Sequence, residues 1–167
     1  MQQPTLPGRR WPWIRLFGRN QAEGDAPDDA QRGYVEAALV LLARCEALHR
    51  DWLEQVDEQR RNERLANAAA VYHWHLRGLL DRLAAVEVPR ALDAWHEALT
   101  GSLESAASAT RLMSHGYRFN NVRRICDGGA RLEDALGQAV AVRDALVRVY
   151  DLSPVGAHQP AERATGA

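Results

Sequence analysis

Apolar residues recur every three or four positions along most of this chain, in four runs. The first run is Val35, Ala38, Leu42, Cys45, His49, Trp52 and Val56. The second is Leu65, Ala69, Tyr72, Leu76, Leu79, Leu83 and Val86. The third is Leu92, His96, Leu99, Leu103, Ala106, Thr110 and Met113. The fourth is Val122, Ile125, Leu132, Leu136, Ala139, Val142, Leu146 and Val149. Each run predicts an amphipathic helix of about 25 to 30 residues, roughly 40 Å long at 1.5 Å per residue.

The breaks between runs carry helix punctuation. Asp28 or Asp29 is an expected N-cap for the first helix, and Asn120 or Asn121 for the fourth. Pro89 ends the second run, because the residue before proline is biased away from helix. Gly116 is the expected residue just past the end of the third helix. Two breaks are weaker. DEQRRNERLAN, residues 57–67, has neither Gly nor Pro, so the first two helices either separate there or fuse into one rod. Gly128-Gly129 costs about 2 kcal/mol inside a helix relative to two alanines, so the fourth helix starts either at the asparagine cap or only after the glycines.

Helices of equal length with short links predict an all-α, up-down-up-down four-helix bundle over residues 29–152. Residues 1–28 are expected to be a disordered arm and linker, and 153–167 a disordered tail. The composition agrees with helix: 28 of the 167 residues are alanine. All 21 basic residues are arginine.

Charge is unevenly distributed. The net charge of −1 argues against a nucleic-acid binder, yet residues 1–20 hold four arginines and no acid. In RRWPWIRLFGR, residues 9–19, the residues Trp11, Trp13, Ile14, Leu16 and Phe17 lie among Arg9, Arg10, Arg15 and Arg19. With Pro12 at its start and Gly18 at its end, this stretch predicts a short helix. Trp13, Ile14, Leu16 and Phe17 then share one side, and Arg15 and Arg19 the other. QAEGDAPDDAQ follows as a flexible acidic linker. Such an arm is suited to three uses: packing on its own bundle, docking on an unknown protein partner as a helix in a groove, or reversible attachment to an anionic membrane. No run approaches the roughly 20 apolar residues that a membrane-spanning helix needs, and no signal peptide is evident. The expected location is cytoplasmic, with membrane association as the option that one of the three uses of the arm would add.

Candidate chemistry is sparse. Glu46-Ala-Leu-His49 has the E-x-x-H spacing that puts two ligands on one helix face, and Asp93-Ala-Trp-His96 is a looser echo. Bundle geometry places His49 and His96 roughly 20 Å apart along the axis, which argues against a di-metal centre. Glu46 and His49 with His75 from the second helix make a candidate mononuclear metal site; His73, two residues from His75, points another way. The weightier expectation is that these histidines are hydrogen-bonded groove residues. Cys45 and Cys126 lack metal or redox spacing and are expected to be too far apart for a disulfide. Both are expected as small core residues.

In an up-down bundle the first and third connections share one end. There Arg60, Arg61, Arg64, Arg118, Arg123 and Arg124 form a candidate anion-docking surface beside His115, Tyr117 and Asn121. The acids Asp57, Glu58, Glu63 and Asp127 share that end. No nucleophile elbow or phosphate-binding loop is present, and no cofactor is expected. The sequence therefore points to a non-enzymatic interaction or scaffold bundle. The competing class is a small-ligand or metal-binding bundle using His49 and its neighbours. Trp74, off the stripe of its helix, adds self-association as an option.

Overall fold

The computed structural model describes residues 28–58 and 61–150. They form four helices: α1 (Asp29–Glu58), α2 (Asn62–Ala84), α3 (Asp93–Arg118) and α4 (Val122–Val149). A single 3-10 turn, Arg90–Leu92, precedes α3. No strand occurs among the described residues. The expectations about the arm, the linker and the tail fall on 1–27 and 151–167, outside the described residues, as does Arg60.

Side-chain pairings give the direction of each helix. Tyr34 of α1 meets His96 of α3, and Trp52 meets Tyr117, so those two helices run parallel. His73 Nδ1–H donates to the Ala107 carbonyl (2.8 Å), and the Ser114 hydroxyl donates to the Ala66 carbonyl (2.8 Å). Numbers fall on α2 as they rise on α3, so that pair is antiparallel. A Cβ on Gly116 would meet Ile125, and one on Gly128 would meet Met113, which makes α3 and α4 antiparallel. The molecule is an all-α, up-down-up-down four-helix bundle.

The apolar stripes close the core. Val35, Leu76, Leu92, Leu99, Val142 and Leu146 are almost wholly buried. Burying such a side chain contributes about 1.5–3 kcal/mol. The pattern misplaces the ends of the fourth stripe, because Val122 and Val149 are exposed. At the third stripe Trp95 is buried and His96 only partly so.

The caps fall partly where the sequence put them. Gln31 N–H donates to Asp28 Oδ1 at 2.7 Å, fixing Asp28 as the cap of α1. Arg124 N–H donates to Asn121 Oδ1 at 3.1 Å, which caps α4. Arg61, with extended backbone, separates α2 from α1, so the fused rod does not form.

The expectation for Gly116 is overturned, and of the two starts open to the fourth helix the asparagine cap is the one found, for one reason. Gly116 lies inside α3, and α4 begins at Val122 and runs through Gly128-Gly129. A Cβ on Gly128 would lie 2.4 Å from Met113 Cγ and 3.0 Å from the Ala109 carbonyl oxygen. One on Gly116 would lie 2.8 Å from Ile125 Cγ1. The two helices approach too closely for any side chain there, and that packing outweighs helix propensity. Termination of α3 falls instead to Asn120, at φ 50°. Asn121 N–H donates to the Gly116 carbonyl (2.7 Å) and Asn120 N–H to the Tyr117 carbonyl (3.3 Å). This is a Schellman closure with asparagine in the left-handed position.

Candidate functional site

The most distinctive polar cluster lies where α1, α2 and α4 meet, about two thirds of the way along α1. Cys45, His49 and Trp52 occupy one face of α1 and are opposed by Tyr72 of α2. The Trp52 and Tyr72 rings are nearly parallel, with centroids 6.1 Å apart, and the His49 ring lies 6.4 Å from Tyr72. Beyond Trp52 the aromatic line continues to Tyr117, 6.4 Å away.

Burial keeps this cluster uncharged. Desolvation pushes the Cys45 thiol up to about 11, helped by the nearby Glu46 carboxylate. It raises the Tyr72 phenol further still. His49 is lowered by desolvation, with Glu133 of α4 opposing the shift. A buried thiol held protonated is a poor nucleophile. Two polar atoms here lack a hydrogen-bond partner, His49 Nδ1 and the Tyr72 hydroxyl. Leaving such a group unmet costs about 1–3 kcal/mol.

Beside the cluster, α1 and α2 part to leave an open groove of about 330 Å³. Leu48, Trp52, Val71 and Tyr72 form its apolar lining, with Asp51, Gln55 and His75 among its polar residues. Its size suits a small organic molecule or a few side chains.

The candidate metal ligands are not gathered. Glu46 is engaged by the Arg143 guanidinium of α4 in an ion pair that crosses the α1–α4 seam. His49 faces inward toward Tyr72, whereas His75 is exposed and lines the groove. Among the described residues, no group of three or more His, Cys, Asp or Glu side chains is placed to hold a metal ion. His96, level with Tyr34 and hydrogen-bonded to its hydroxyl (3.1 Å), lies far down the bundle from His49. Cys45 is buried, but Cys126 is exposed, so the expectation of two core thiols holds for one.

At the other candidate surface, Asn62 Nδ2–H donates to Asn120 Oδ1 at 2.9 Å, tying the start of α2 to the α3–α4 link. The two connections do share an end. Arg61, Arg64, Arg118, Arg123 and Arg124 are all exposed there. Arg124 donates to His115 Nδ1 (3.2 Å), and Arg123 lies 3.8 Å from Asp127. The sequence reading missed two members of this end, Phe119 and Val122, both highly exposed. Adjacent asparagines marked the link between the helices, but not which way its apolar neighbours face. Of the arm, Trp11, Trp13, Ile14, Arg15, Leu16, Phe17 and Arg19 lie outside the described residues. No described helix is long and apolar enough to cross a membrane.

Comparison with known protein families, with curated proteins and with solved structures finds no match to this chain. The class of protein is thus defined by its architecture, an all-α bundle.

Proposed function

We propose that the chain is a non-enzymatic helical-bundle interaction protein, attached to its target through the basic and aromatic arm. The observation that carries this reading is the 9–19 stretch, where four arginines alternate with five large apolar residues. One surface of such an arm buries apolar area while guanidiniums meet phosphate or carboxylate, the chemistry of an anionic bilayer or of an acidic-rimmed groove. Desolvation holds the buried Cys45 thiol in its protonated, poorly nucleophilic form. The test is full-length protein carrying Trp11→Ser, Trp13→Ser and Phe17→Ser, compared with wild type by vesicle flotation and by cross-linking. Loss of binding with an unchanged helical spectrum is the expected result. Undiminished binding by the triple variant would exclude the arm as the contact.

A second reading, a small-ligand or metal-binding bundle, is favoured by the unpartnered His49 Nδ1 and Tyr72 hydroxyl beside the α1–α2 groove. Metal analysis of tag-free protein addresses the metal form of it, and stoichiometric zinc or iron would favour this reading over the first.

A further inference from the structure

The α3–α4 link is built to hold two apolar side chains out of the bundle. Phe119, Asn120 and Asn121 join the helices, with Asn120 locked in the left-handed conformation and Asn121 spent as the cap of α4. The Schellman closure fixes the exit from α3, and the Asn62–Asn120 hydrogen bond braces it against α2. Phe119 remains 64% exposed and Val122 66%. Buttressing comes from the His115 ring, 4.9 Å from that of Phe119, and His115 in turn accepts from Arg124. The result is an exposed apolar pair on a hydrogen-bonded link.

Arginines surround it. Arg118 precedes Phe119, and Arg123 and Arg124 follow Val122, all three exposed. Arg61 stands across the braced link. Of the acids of this end, Asp57 and Glu58 lie at the end of α1, while Glu63, in the first turn of α2, lines a pocket with Arg118 and Asn120. Asp127, the acid nearest the tip along α4, is already beside Arg123.

We propose that the Phe119–Val122 tip is a peripheral membrane contact. Phe119 and Val122 enter the interface of an anionic bilayer while Arg118, Arg123 and Arg124 meet lipid phosphates. Phe119 and Val122 stand outside the pocket that Asn62, Glu63, Asn67, Tyr117, Arg118 and Asn120 line beside the link, and an exposed apolar pair flanked by arginines suits a deformable anionic plane. Arginine's planar fork matches phosphate, and its stem lies along apolar surface. This contact does not depend on the arm, which joins at the opposite end of α1.

The test is flotation of the full-length chain with phosphatidylserine–phosphatidylcholine vesicles and with pure phosphatidylcholine vesicles, at low and high salt. Three variants are compared: F119S/V122S, R123E/R124E, and the arm variant W13S/F17S. The tip residues are exposed, so their substitution leaves the helical spectrum and melting essentially intact. F119S/V122S is expected to lower the bound fraction on anionic vesicles about tenfold. R123E/R124E is expected to do the same on anionic vesicles with little effect on neutral ones, and salt to weaken wild-type binding. Wild-type flotation by both tip variants overturns the proposal, as does a wild-type chain that binds neither vesicle, which would leave the tip to a protein partner. Loss in the arm variant alone would uphold the arm and remove the tip; loss in the tip variants alone would do the reverse.

Discussion

The α3–α4 seam and the α1–α2 sector solve packing in opposite ways. Along α3–α4 the backbones come so close that Gly116 and Gly128 leave no room for a Cβ. Between α1 and α2 the contact is made by large rings, Trp52 against Tyr72 and His49 tilted over Tyr72, with an open groove alongside. In the seam, residues that weaken a helix locally are explained by what they let approach. In the sector, residues that weaken the core, a buried imidazole nitrogen and a phenol without partners, have no packing explanation. Departures from local rules that packing explains belong to stability. Those it does not explain are where a ligand or a partner is to be sought.

The sharpest way to break this contrast is Gly128→Leu. Ala109 and Met113 backbone atoms lie within 3.2 Å of the position its Cβ would take, so the helices must separate. A loss of about 3 kcal/mol or more is expected from overpacking, read as a large fall in the denaturant midpoint. An unchanged midpoint would show that the seam does not hold the bundle. The neighbouring glycine is the control: Gly129 has nothing within 4 Å of its Cβ position. Gly129→Ala should therefore recover propensity and gain about 0.8–1 kcal/mol.

That pair of glycines shows what the sequence could and could not disclose. Periodicity located all four helices and most of the core, because burial of one face is a local pattern, though it left out Tyr34, Leu80 and Trp95 among others. It could not separate Gly128 from Gly129, since the difference lies in Met113, distant in sequence on another helix. Propensity alone left the start of α4 open between the asparagine cap and the far side of both glycines. Likewise E-x-x-H at Glu46 and His49 was legible, but its fate was not: Arg143, 97 residues on, takes the carboxylate. Asn121 was recognisable as a cap, whereas the outward stance of Phe119 and Val122 required the φ of Asn120.

On the aromatic side a smaller change of the opposite sign is expected. Tyr72→Phe removes a buried hydroxyl that has no partner while leaving its ring against Trp52. Stability should rise by about 1 kcal/mol, as expected when an unmet polar group is deleted. A loss in its place, in thermal melts of purified protein, would mean that something present in solution satisfies the hydroxyl, and would strengthen the ligand-binding reading.

The smallest effect is the pH dependence that His49 contributes. Its folded-state value lies below the ordinary 6.5, because desolvation disfavours the imidazolium more than Glu133 favours it. The unfolded chain therefore takes up this proton first as pH falls. The stability His49 contributes is fully present above about 6.5 and is lost as the solution is acidified below that value, levelling off once the folded protein also protonates. Removing the opposing carboxylate with Glu133→Gln should lower the folded-state value further and deepen the acid loss. His49→Leu should remove this contribution altogether, flattening the difference in urea midpoint between neutral pH and the region just below 6.5. Parallel pH profiles for wild type and His49→Leu would place the imidazole in water instead of against Tyr72, and the contrast between the two sectors would lose its polar half.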